Sequence, residues 1–157
     1  MILSASLLSI PLFWLGHIMT PNPGQSSGNG NPAIIIMGIL LIAFGFIVYQ
    51  WIKILRKYTI NLFIKIVGTI LIIVHLIISF IYQRNTFIQY KENVLAKAFE
   101  EKFGYIDWQH IDEITSFLSI HVNIHYFNFN TYFMFMTSAI LIALVVTLIP
   151  NFKKTIV

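Results

Sequence analysis

Four stretches of the chain are apolar and almost free of charge: about 1–19, 33–51, 62–82 and 132–149. Each approaches the roughly 20 mostly apolar residues that a membrane-crossing helix needs. The polar positions are gathered elsewhere. All six acidic residues, Glu92, Glu100, Glu101, Asp107, Asp112 and Glu113, fall between the third and fourth stretches. A charge at the centre of a bilayer costs roughly 2.5–3.5 kcal/mol on insertion scales, so lipid takes the uncharged stretches and leaves the acid-bearing one in water. The pattern predicts an all-α integral membrane protein: a four-transmembrane-helix bundle forming one membrane domain. A short helical extracytoplasmic segment, residues 83–131, separates spans three and four.

The first stretch, MILSASLLSIPLFWLGHIM, lacks the basic start and small-residue cleavage site of a signal peptide, and reads as a retained span bent at Pro11. The joint after it, PNPGQSSGNGNP within Thr20–Pro32, is neutral and reads as a flexible loop. The joint after the second span carries Lys53, Arg56 and Lys57, with Lys65 just beyond, and the tail carries Lys153 and Lys154. Basic joints stay on the cytoplasmic side. Both termini are therefore expected in the cytoplasm, with the neutral loop and residues 83–131 outside. That assignment puts six cations and no acid inside. Outside, Arg84, Lys91, Lys97 and Lys102 stand against the six acids.

Within the outer segment, Ile88, Leu95, Phe99 and Phe103 recur at helical intervals. Asn85 or Thr86 is a candidate start for this helix, and Lys102 followed by Gly104 a candidate end. Asp107 is placed to cap a second helix with Ile111, Ile114, Phe117 and Leu118 on one stripe. The following HVNIHYFNFN fits either an extended segment or a helix running into the last span.

Composition sharpens the class. Of 157 residues, 57% are hydrophobic and 10% charged, against about 25% charged in soluble domains. The absence of cysteine excludes disulfide scaffolds, thiolate metal sites and cysteine nucleophiles. The net charge of +4 does not point to nucleic acid, because the cations flank apolar stretches, where they set orientation and meet anionic headgroups.

Candidate chemistry rests on histidines. His110, His121 and His125 lie in the outer segment, and with Asp112 or Glu113 they are weak candidates for a divalent metal site. HVNIH lacks the glutamate of the HExxH pattern and so its general base; hydrogen bonding to water or headgroups is the plainer role. His17 and His75 fall within spans one and three, and are candidate axial ligands for haem b or partners for a quinone. Against this, His75, Ser79 and Gly68 also fit a polar, small-residue helix contact. Ala139/Ala143 and Gly38/Gly45 suggest close helix approach in the same way. No span holds Asp, Glu, Lys or Arg away from its ends, and there is no P-loop, no GxSxG and no inverted repeat. Pumps, nucleotide-driven machines and serine hydrolases lose weight accordingly.

The layout and the Ile, Asn, Lys and Phe bias resemble small immunity-type membrane proteins of low-GC bacteria. The likeness is one of layout and carries no site residues over. Tetraspanins share the layout, but this outer segment has none of their cysteines. The expectation is a non-catalytic bacterial plasma-membrane protein without a cofactor, acting by protein–protein contact as an accessory subunit, regulator or immunity-type protein. Besides the lipid bilayer, its expected partners are a membrane or extracellular protein and, in a homo-oligomer, further copies of itself. Phe99, Phe103, Trp108, Ile111 and Phe117 are the candidate apolar anchors, with Glu100, Glu101, Asp112 and Glu113 supplying charge complementarity. A haem b or quinone subunit using His17 and His75, and an oligomeric channel or small-solute carrier, are the alternatives; Ser79 is singled out beside these histidines only as an intramembrane polar residue.

Overall fold

The computed structural model describes residues 2–25, 30–58 and 60–149, with side chains from residue 6 onward. The tail bearing Lys153 and Lys154 lies outside the described residues. Those that are described form helices and connecting turns, without a strand. In order they are α1 (Ile2–Ile18), α2 (Ala33–Lys57), α3 (Leu62–Gln89), a π-helical turn (Tyr90–Leu95), α4 (Ala96–Phe103), α5 (Trp108–Ile114), a 3-10 turn (Ile120–Val122), α6 (Asn123–Tyr126) and α7 (Phe129–Leu148).

Three helices are long and apolar enough to cross a membrane: α2, the rod that begins with α3, and α7. Their outward faces carry Leu41, Ile42, Phe63 and Leu71, each more than 60% exposed. So much contiguous apolar surface calls for lipid or a partner rather than water. Helix α1 is 17 residues long and lies against α2, α6 and α7. Helix α7 is the hub, packing on both α2 and α3. Its Ala139 and Ala143 are fully buried, the close approach their spacing predicts. Gly38, Gly45 and Gly68 behave differently: a Cβ on any of them would meet nothing within 4 Å. Gly68 therefore takes no part in the seam expected around His75.

Caps set the helix ends. Asn61 Oδ1 accepts from Phe63 N at 2.9 Å to start α3. Asp107 Oδ1 accepts from His110 N at 3.0 Å to start α5, as expected from its position. At α7, Asn128 and Thr131 form a reciprocal capping box, each side chain bonded to the other's backbone N–H at 3.0 Å. Gly104, with φ +79°, ends α4 in the left-handed conformation that glycine adopts without steric cost.

Two expectations fail here. Asn85 and Thr86 start no helix: α3, the π turn and α4 form one unbroken rod, Leu62–Phe103, of 42 residues. No glycine or proline falls between Gly68 and Gly104, so nothing interrupts the backbone ladder, and Thr86 Oγ1 instead donates back to Tyr82 O at 2.9 Å. At 1.5 Å per residue the rod is roughly 63 Å long, about twice the roughly 30 Å hydrocarbon core, so about half of it projects. The second correction concerns Thr20–Pro32. Its described part is docked rather than loose. Lys102 Nζ donates to Gly24 O at 2.8 Å, and Gly24, at φ +80°, sits where a Cβ would come within 3.3 Å of Ala98 O. Residues 119–131, open between strand and helix in the sequence, are the 3-10 turn, α6 and the start of α7.

These contacts place the described residues of the 20–32 loop and the 90–128 region at the same end of the bundle, where they form a cap. The cap has its own small core of Leu95, Ala96, Phe99 and Ile111. Below it, Phe13, Ala33, Ile36, Leu40 and Phe127 join α1 and α2 to the cap's underside. Phe13 meets Phe127, Tyr132 and Phe135 edge-on, with ring centroids 5.4–5.9 Å apart. The basic cluster of α2 lies at the opposite end.

Candidate functional site

The cap is held by polar side chains that are buried and fully partnered. Asn31, just before α2, and Asn123, opening α6, exchange amide hydrogen bonds: Asn31 Nδ2 to Asn123 Oδ1 at 2.7 Å and Asn123 Nδ2 to Asn31 Oδ1 at 3.0 Å. Asn31 also donates to Ser119 O and accepts from Ala33 N, both at 3.0 Å. Neither residue is more than 8% exposed. His121, wholly buried, ties three segments together. Its Nε2 lies 2.7 Å from Gln25 O and its Nδ1 3.1 Å from Tyr90 Oη. A carbonyl only accepts, so Nε2 carries the proton and Nδ1 receives the tyrosine hydroxyl. Burial pushes the His121 pKa below 6.5; the Gln25 carbonyl partly opposes that shift and nearby His110 reinforces it.

A second polar chain runs between α3 and α7, and its hydrogens are fixed by backbone carbonyls at both ends. Asn130 Nδ2 donates to Ser79 O at 3.0 Å and to Gln83 Oε1 at 2.9 Å. Gln83 Nε2 is therefore the donor end of its amide, and it donates to His125 O at 2.9 Å. The same Nε2 lies 3.2 Å from His125 Nδ1, which must act as acceptor. The proton of His125 is thereby placed on Nε2. Burial lowers the His125 pKa, so the ring is neutral at pH 7. Deeper along α3, Ser79 Oγ lies 3.4 Å from His75 Nδ1, while His75 Nε2 is buried without a hydrogen-bond partner.

Where the rod leaves the bundle, a cavity of about 570 Å³ opens between α3, the π turn and the start of α7. Gln83, Phe87, Tyr90, His125 and Phe129 are among its walls, and no acid, lysine or arginine lines it. A π turn inserts extra backbone into a helix and commonly accompanies functional sites; here it supplies Tyr90, Asn93 and Val94 to the cavity rim.

The histidines singled out in the sequence are not brought together. His110 packs edge-on against Phe99 at 5.3 Å, His121 has both nitrogens engaged, and His125 faces Gln83. Among the described residues no group of three or more His, Asp or Glu is placed to hold a metal ion. His17 Nδ1 lies 2.8 Å from Phe127 O, whereas His75 pairs with Ser79 on α3, so the two histidines share no partner. Of the candidate anchors, Phe99 and Ile111 are interior, at 4% and 0% exposure, while Phe103, Trp108 and Phe117 stand out at 52%, 48% and 75%. Glu100, Glu101 and Glu113 are exposed. Asp112 forms an ion pair with Lys91.

The residues that sequence reasoning missed are the neutral amides: Asn31, Gln83, Asn123, Asn128 and Asn130. Their signal was position, each lying just outside an apolar stretch or at a helix start. Comparisons with protein-family models, curated proteins and solved structures give no match.

Proposed function

We propose that the chain is a four-span plasma-membrane protein with both termini in the cytoplasm, which works without catalysis by gripping another protein through its extracytoplasmic cap. Helix α1 supplies the fourth span: 17 residues reach about 26 Å, close to the hydrocarbon thickness once headgroup slack is allowed. The basic end of α2 then faces the cytoplasm and the acid-bearing cap faces out.

The observation that carries this reading is the cap's outer surface. Phe103, Trp108 and Phe117 stay exposed on a framework tied together by the Asn31–Asn123 amide pair and by His121, so their positions are set before any partner arrives. Aromatic anchors on a preorganised surface are what binding hot spots use. Exposed Glu100, Glu101 and Glu113 beside them favour a partner with basic or neutral polar groups at its rim.

The test is co-purification from the native host in mild detergent, with a photo-crosslinker at Tyr105, exposed at 63% between these anchors. A protein crosslinked to the wild type and lost from the Trp108→Ala/Phe117→Ala double variant, at unchanged thermal stability, supports the proposal. Recovery of the same crosslink from the double variant, or crosslinking to lipid alone, overturns it.

A further inference from the structure

We propose that the groove between α3, the π turn and the start of α7 binds the head ring of a lipid-soluble quinone, with the His125 Nε2–H donating to a ring carbonyl. The inference is independent of the contact function and adds a small-molecule site to the same chain. Its first support is the chain of hydrogen bonds from Ser79 O through Asn130 and Gln83, which forces His125 Nδ1 to accept. One imidazole N–H is left over; it has no hydrogen-bond partner among the described residues, and His125 lines the groove. A fixed, unused donor in a concave site asks for an acceptor oxygen.

The second support is charge. No Asp, Glu, Lys or Arg lines the groove, and burial keeps His125 neutral. A phosphate or carboxylate head would enter without a counter-charge, which disfavours phospholipids and soluble metabolites alike. Shape gives the third. The cavity measures about 570 Å³, within the range for small-molecule sites. The Phe87 and His125 rings pack together with centroids 4.5 Å apart, and Phe129, 84% exposed, also lines the groove. A planar head can stack on such an aromatic lining. Tyr82, 59% exposed on α3, lines the groove, so an apolar tail can pass it and follow the helix into lipid. A neutral carbonyl-bearing ring on such a tail is a quinone. The proposal is one of binding; no electron transfer is assigned.

The experiment uses the full chain in phosphatidylcholine nanodiscs and an azido-quinone photoprobe. Saturable labelling of segments 82–94 and 124–130 is expected, displaced by decyl-ubiquinone and not by dioleoylglycerol. His125→Phe, which keeps the ring and removes the donor, should weaken labelling about tenfold. His125→Gln places an N–H near the same point and should stay within about threefold of the wild type. If His125→Phe does not fold, Thr86→Phe, which fills the groove from its exposed side, should abolish labelling instead. Labelling that does not saturate, that spreads over the lipid-facing helices, that dioleoylglycerol displaces equally, or that neither substitution weakens, overturns the assignment.

Discussion

Removing the Asn31 side chain should loosen the cap far more than its small size suggests. Asn31→Ala deletes four hydrogen bonds at once: two to Asn123, one to Ser119 O and one from Ala33 N. Asn123 is fully buried, and among the described residues its side chain bonds only to Asn31. Its carbonyl oxygen and its amide are therefore both stranded. Each stranded buried group costs about 1–3 kcal/mol, so the substitution should cost about 2–6 kcal/mol. That is a large part of the 5–15 kcal/mol typical of a folded domain. The reverse substitution is gentler. Asn123→Ala leaves Asn31 with its bonds to Ser119 O and Ala33 N, and should cost about half as much.

The pair also defines a double-mutant cycle. Once one partner is gone, removing the other relieves stranded groups, so the double variant should cost clearly less than the two singles together, by at least about 1 kcal/mol. Thermal unfolding in detergent gives the order of stabilities. Hydrogen exchange at residues 119–128 tells whether the loss lies in the cap or in the bundle. Equal costs for the two single variants, or simple additivity, would show that the amide exchange does not hold the cap as argued.

Other outcomes follow from the same geometry. Because the chain has no cysteine, Gln25→Cys and Lys97→Cys are clean single labels; both should react with an impermeant maleimide from outside intact cells, and reaction of either from the cytoplasmic side alone would reverse the orientation. The pKa values of His121 and His125 are lowered in the folded cap, so the unfolded cap binds more protons, and stability is complete above about pH 6.5 and lost as pH falls through it. Cap hydrogen-exchange protection, corrected for the intrinsic exchange rate at each pH, should therefore fall between pH 7.5 and 5.5, and the double variant His121→Gln/His125→Gln should flatten that dependence. A Cβ on Gly16 would stand 2.5 Å from the Phe127 ring, so Gly16→Ala should cost about 1–3 kcal/mol by overpacking. Phe127→Leu should restore part of that loss in thermal melts, and an absence of any rescue would remove the steric explanation.

The apolar helices were legible because lipid imposes a simple rule on sequence. A charge inside the bilayer is costly, so 33–51, 62–82 and 132–149 stood out and became the cores of α2, α3 and α7. Single-residue caps were legible for a similar reason: Asp107 and Gly104 act through local backbone geometry, which a short window contains. The continuous rod was less visible. Polar residues after Tyr82 looked like a new element, yet polarity marks where water begins and not where a helix ends. With no glycine or proline between Tyr82 and Gly104, α3 simply continues past its apolar stretch.

The cap's polar framework was hidden because its partners are far apart in sequence. Asn31 and Asn123 are separated by 92 residues, His121 and Gln25 by 96. Periodicity and spacing report on neighbours along one helix face; they say nothing about which asparagine meets which. Neutral amides also carry no charge to draw notice, and in a loop rich in glycine and asparagine they read as solvent-facing. The same property makes them suitable here. A buried amide pair satisfies itself without a net charge and so avoids the desolvation cost that a buried ion pair bears. Of the polar groups that hold the cap, only the histidines can change charge near neutral pH, and one of them, His125, presents an unused N–H to a groove. Neutral amides thus set the cap's position, while the histidines among them make it responsive to protons.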